Sequence, residues 1–155
     1  MRIPRSQRVI YLSFLTLLIS CFIHHLNAQL NLDQNNLGVS GFDIVDYFDG
    51  NASPGSEKFQ VEHGGAVYRF KNEINKKTIE KNPKAYLPQY GGWCAYAMGY
   101  NGKKIEINPE SFSIENKKLY LFYKTTFTNT KKKWAKNNKK LKFKADQNWN
   151  KQLKP

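Results

Sequence analysis

KFQVEHGGAVYRF, residues 58–70, decides the architecture of this chain. KFQVEH and AVYRF are two short runs of alternating character, and Gly64–Gly65 between them supplies a tight glycine turn, so the segment reads as a β-hairpin. Working outward, Asn72 is an N-cap candidate. Ile74 and Ile79 are expected on one side of the helix that follows, which must stop by Asn82 because Pro83 comes next. Downstream, KKIEINPESFSIENKKLYLFY (103–123) alternates through Ile105, Ile107, Leu119, Leu121 and Tyr123, with NPES and ENKK as turns, which predicts paired antiparallel strands. Between these regions PKAYLPQYGGWCAYAM (83–98) is an aromatic connector leading into a strand. Upstream, GFDIVDYF opens as a short helix or turn carrying Ile44, Tyr47 and Phe48, followed by a Gly/Ser/Pro loop.

The last segment has Phe127 and Trp134 seven apart, then Leu141, Ala145 and Trp149 at four-residue spacing. This predicts two amphipathic helices docked on the sheet with their lysines in solvent. Strands first, a helix between hairpins and helices last give an α+β domain built on a small antiparallel β-sheet.

The N-terminus reads differently. Arg2, Arg5 and Arg8 precede the apolar run VIYLSFLTLLISCFI (9–23), and HHLNA ends in a small residue. That is a signal peptide, residues 1–28, with cleavage expected after Ala28, and it implies export to a periplasm or the outside. LISC (18–21) also resembles a lipoprotein processing site, which would make Cys21 a lipid anchor. The expected organisation is then a polar leader over 29–37, one domain over 38–150 and a short tail over 151–155. A domain of this size can build a core without staples.

The net charge of +13 is unevenly placed. Residues 29–123 balance 11 Lys and Arg against 11 Asp and Glu, whereas residues 124–155 hold 11 Lys against Asp146 alone. Export argues against nucleic acid as the partner. Such a block is a solvated helical face, or it holds the protein on an anionic membrane or cell-wall surface.

With Cys21 removed, Cys94 is the single thiol of the mature chain, and it cannot form an internal disulfide. A zinc-finger-type site lacks its paired cysteines. A copper ion in the monovalent state favours soft sulfur ligands. Cys94 and Met98, four apart, share a face in a strand or in a helix, and in a strand Tyr96 shares it too. His63, on the hairpin turn, is the remaining histidine and a third candidate ligand. A redox thiol is the alternative, with the Gly91–Gly92 backbone as a small anion nest and an external thiol as resolving partner. A small-ligand pocket is a further one, lined by Tyr90, Trp93, Tyr96 and Tyr47, with Asp43 either contributing a carboxylate or capping the short helix at 43–48. The plain reading of the same residues is a small core in which Cys94 and Met98 are inert filler. No Cys–His pair with an orienting third group can be named, so hydrolase-like catalysis is not expected.

GFDIVDYF (41–48), GSEKF (55–59), GGAVYRF (64–70), Asn75, NPKAYLPQYGGWCAYAMG (82–99) and KLYLFY (118–123) together resemble the exported YHS-domain family, as do a KKxW-type helix reaching Trp134 and the ADxNW-like end at 145–149. QYGGWCAYAMG is the most specific element. The resemblance implies a YHS-like α+β fold. It also implies metal binding, because YHS domains accompany metal-transporting ATPases and resemble cysteine-bearing metal-sensing domains. In the exported group the position matching Cys94 is often selenocysteine, which implies chalcogen chemistry there. The chain departs from the metal-transporter version in lacking its additional cysteines, so an all-thiolate site is out of reach. No substrate or reaction comes with the resemblance.

Overall fold

The computed structural model describes residues 29–154; the expected signal peptide and the Cys21 alternative lie outside the described residues. Two two-stranded antiparallel sheets combine with helices, an α+β arrangement. β1 (Ser56–His63) and β2 (Ala66–Phe70) form the first hairpin. Gly64 and Gly65 sit at φ 61° and 84°. Paired positive φ values match the right-handed twist of the strands, and glycine adopts them without strain.

α1 (Glu73–Lys81) starts where the Asn72 side chain accepts from the Asn75 N–H at 2.8 Å. Ile79 is fully buried but Ile74 is 74 % exposed, correcting the expectation that they share a face. Five residues turn a helix by about 500°, which leaves the two roughly 140° apart. The inward companion of Ile79 is Asn75, one turn before it. α2 (Pro83–Tyr86) is a single turn that opens on a proline.

The stretch expected to enter a strand is instead α3 (Ala95–Asn101), closed by Gly102 at φ 72°. Ala95, Met98 and Gly99 are all buried, at the i, i+3, i+4 spacing of a helix face. β3 (Asn108–Glu115) and β4 (Lys118–Phe122) form the second hairpin across Asn116–Lys117. NPES is therefore the opening of β3 and not a turn. Its register breaks between Asn108 and Phe112, and the Asn108 Oδ1 accepts from the Glu110 N–H at 2.9 Å. That local bond gives the segment turn chemistry inside a strand.

α4 (Thr130–Ala135) and α5 (Asn138–Gln152) complete the chain. Phe127 precedes α4 and is 97 % exposed, so its spacing from Trp134 has no helical meaning. Trp134 packs on Tyr120 and Phe122 of β4, with ring centroids 5.5 and 5.8 Å away. α5 docks on α3 rather than on a sheet. A Cβ on Gly99 would run into the Leu141 backbone, and the Asn148 amide donates to the Met98 carbonyl at 2.8 Å. Among the described residues no helix is long and apolar enough to cross a membrane.

The segment read as a leader is tied into the fold. Leu37 is buried and bridges Val67, and the Asn31 N–H donates to the Gly91 carbonyl at 2.8 Å. At the other end Gln152 donates to the Gly102 carbonyl at 2.6 Å.

Two cores meet at β4. Leu119 and Leu121 belong to one, with Val39, Ile44, Tyr47, Tyr68, Phe70 and Ile79. Tyr120 and Phe122 belong to the other, with Tyr90, Ala95, Met98, Trp134 and Ala145. Successive strand residues point to opposite faces, so LYLF (119–122) is apolar without interruption because it is covered on both sides.

Candidate functional site

Cys94 is the N-cap of α3 and is wholly buried. Its N–H donates to the Ile105 carbonyl at 3.0 Å. The Tyr123 N–H donates to its sulfur at 3.3 Å. The Thr130 hydroxyl lies 3.4 Å from the sulfur and donates its own proton to the Tyr123 carbonyl at 2.7 Å. A hydroxyl has one proton to give, so the thiol donates to the Thr130 oxygen. The sulfur thus both accepts and donates, and its hydrogen-bonding capacity is met between β4 and α4. The backbone donor that reaches it comes from Tyr123. Gly91 serves a different purpose: a Cβ there would lie 2.8 Å from the Gln29 carbonyl oxygen and 2.9 Å from the Trp149 ring.

Met98 and His63 stand in other settings. The Met98 sulfur is buried under α5 and accepts from the Gln152 amide at 3.6 Å. His63 ends β1, opposite Ala66. Among the described residues no group of three or more His, Cys, Asp and Glu side chains is placed to hold a metal ion.

The expected pocket residues are distributed as well. Asp43 is fully buried, and its carboxylate accepts four hydrogen bonds: from the N–H groups of Val45, Asp46 and Lys71 at 2.9, 3.2 and 2.9 Å, and from the Asn75 amide at 2.7 Å. It caps the turn at 46–49 and ties it to β2 and α1. Beside it, buried Asp46 pairs with the Lys71 ammonium. Burial alone would raise the Asp46 carboxyl, but Lys71, Ser53 and Asn51 outweigh it and hold it below the ordinary 3.8. Tyr47 donates to the Pro109 carbonyl at 2.8 Å, and burial, then the nearby Asp43 and Glu110 charges, push its hydroxyl upward. Tyr90 donates to Asp146 at 2.9 Å and is likewise raised, first by burial and then by that bond. Trp93 donates to the Gln29 carbonyl at 2.9 Å. These four are packed side chains with committed polar ends, and they do not enclose one pocket with Cys94.

Tyr96 is different. Two residues beyond Cys94 on a helix it points about 200° away, so the shared face of the strand reading is lost. It stacks on Tyr100 one turn later, with ring centroids 5.5 Å apart and planes 10° from parallel. The Lys133 ammonium sits over the Tyr96 ring, 6.0 Å from its centroid. The two tyrosines with Gly99, Lys133, Lys136, Asn137, Lys140, Leu141 and Lys144 line a groove of about 450 Å³ between α3 and the α4–α5 pair. None of these four lysines is in an ion pair among the described residues, whereas Lys142 pairs with Asp146. Tyr100 is not among the residues the sequence marks out; the four lysines are exposed, as expected, and share one groove. The signal was present in the i, i+4 spacing of Tyr96 and Tyr100, and in Lys133, Lys136, Lys140 and Lys144 recurring every three or four residues.

Scans against protein-family models, curated proteins and solved structures found no match.

Proposed function

We propose that the chain is an exported, YHS-type binding domain without catalytic activity, and that it takes anionic ligands in the groove between α3 and the α4–α5 pair. The observation that carries this reading is the cluster of Lys133, Lys136, Lys140 and Lys144 beside a tyrosine stack, none of them in an ion pair among the described residues. Each lysine at about 4 Å from an anionic charge in water contributes roughly 1 kcal/mol. Four together correspond to a dissociation constant near the millimolar range, and salt weakens it further. A tighter ligand therefore adds either contacts beyond these or further charges. An anionic membrane or cell-wall polymer presents them in series, and exposed Phe143, between Lys142 and Lys144, suits such an interface.

Calorimetric titration with tripolyphosphate tests the reading. The double variant Lys136→Gln/Lys140→Gln is expected to bind about thirtyfold more weakly, while Lys139→Gln/Lys151→Gln, equal in charge but off the groove, stays within about twofold. Equal losses from both pairs would reduce the effect to generic attraction and sink the proposal.

A soft-metal role for Cys94 has one supporting feature, its place one helical turn before Met98. Against it stand the sealed sulfur and its two hydrogen-bond partners. The expected result of an anaerobic Cu(I) titration against a competing chelator is no stoichiometric site in the folded protein. Alkylation of Cys94 should likewise proceed only at the rate of opening, becoming complete in denaturant. A one-to-one copper complex abolished by Cys94→Ala would restore the metal reading.

A further inference from the structure

The groove holds an unfinished stack. Tyr96 has one ring face against Tyr100 and carries Lys133 over its ring. Tyr100 has its inner face on Tyr96 and is 67 % exposed, so its outer face is open. The near-parallel geometry can be extended by one more flat ring. Around it stand Lys136, Lys140 and Lys144, and Asn137 at the junction of α4 and α5 adds an amide that can both donate and accept. A bare anion would leave the tyrosine face in water, and a neutral ring would leave the ammonium groups without a partner. The volume lies within the range of small-molecule sites and suits a ligand of one or two rings.

We propose that the groove takes a flat ring carrying an anionic group, with the ring stacked on Tyr100 and the anion held by Lys136 and Lys140. The inference rests on the anion-binding reading above and adds the chemical class of its ligand. Carboxylate, sulfonate and phosphate satisfy the same ammonium pair, because lysine meets them as a point charge and not through a geometric fork.

The test compares three probes by calorimetry on the mature protein: 1-naphthyl phosphate, inorganic phosphate and 1-naphthol. The ring-bearing phosphate is expected to bind at least about tenfold more tightly than inorganic phosphate, the gain of one stacked ring, and at least tenfold more tightly than the neutral naphthol. Tyr100→Ala, at an exposed position where far-ultraviolet circular dichroism checks that the helix is kept, is expected to bring naphthyl phosphate down to the level of inorganic phosphate. Lys136→Gln/Lys140→Gln is expected to weaken both phosphates. Equal binding of the two phosphates by the unaltered protein overturns the ring proposal while leaving the anion reading intact. So does a naphthyl preference that survives Tyr100→Ala. Phosphate binding indifferent to the lysine pair overturns both.

Discussion

Trp134→Ala is expected to lower stability by about 3–5 kcal/mol, the usual cost of removing a buried tryptophan. Trp134 is 1 % exposed and fills the space between α4 and the even-numbered face of β4, against Tyr120 and Phe122. Its indole N–H donates to Glu115 at 2.9 Å, so truncation also strips that carboxylate of a donor. Against a typical total of roughly 5–15 kcal/mol, the loss would bring the domain close to unfolding at physiological temperature. Urea denaturation followed by circular dichroism measures it. A change below about 1 kcal/mol would mean that the second core closes without this ring. Trp134→Phe, which keeps most of the ring volume, should recover the greater part.

Asp43→Asn is expected to cost about 2–4 kcal/mol although it changes one atom. Each carboxylate oxygen of Asp43 accepts two hydrogen bonds from N–H donors. Asparagine would turn an NH₂ group toward two of those donors, leaving buried groups without partners, and bonds to a charged acceptor are worth about 1.5–3 kcal/mol each. Chemical denaturation at neutral pH checks this. A loss under about 0.5 kcal/mol would show the carboxylate to be free for another use, such as contacting a ligand. Its neighbour adds a pH term. Because the Asp46 carboxyl is held below 3.8 in the folded chain, its contribution is present above that value and fades as pH falls through the lower folded value. Lys71, raised above 10.5 first by its bond to Asp46, contributes fully below that value and loses its contribution as pH rises through the higher folded value.

The hairpins and caps were legible because their determinants are local. Gly64–Gly65 has one comfortable conformation between two alternating strands, and Asn72 caps with its own side chain. What the sequence hid was decided by packing. The stretch up to Met98 is expected to lead into a strand, with Cys94 and Met98 sharing a face in a strand or a helix; it forms the helix α3, which Gly99 lets approach the Leu141 backbone too closely for any side chain. NPES is a local exception: its turn residues open a strand, where the Asn108 side chain accepts from the Glu110 N–H. Whether the Cys94 sulfur faces a cavity depends on Tyr123 and Thr130, 29 and 36 residues away. The lysine and tyrosine repeats of the groove were present in the sequence; their convergence was not, because it depends on how α4 and α5 turn against α3.

β4 gives the domain an unusual sensitivity to alignment. In most hairpins a slip of one residue turns the apolar face toward water and is opposed by exposure alone. Here a slip would interchange the contents of two closed compartments, sending Tyr120 and Phe122 among the residues that receive Leu119 and Leu121, and the leucines into the space built for rings. Neither compartment would be emptied, but one would be overfilled and the other left with voids, and close-packed interiors tolerate neither. The strand acts as a key cut on both edges. A single deletion between Lys118 and Phe122 would misfit both locks at once, and the domain could not fail on one side while keeping the other.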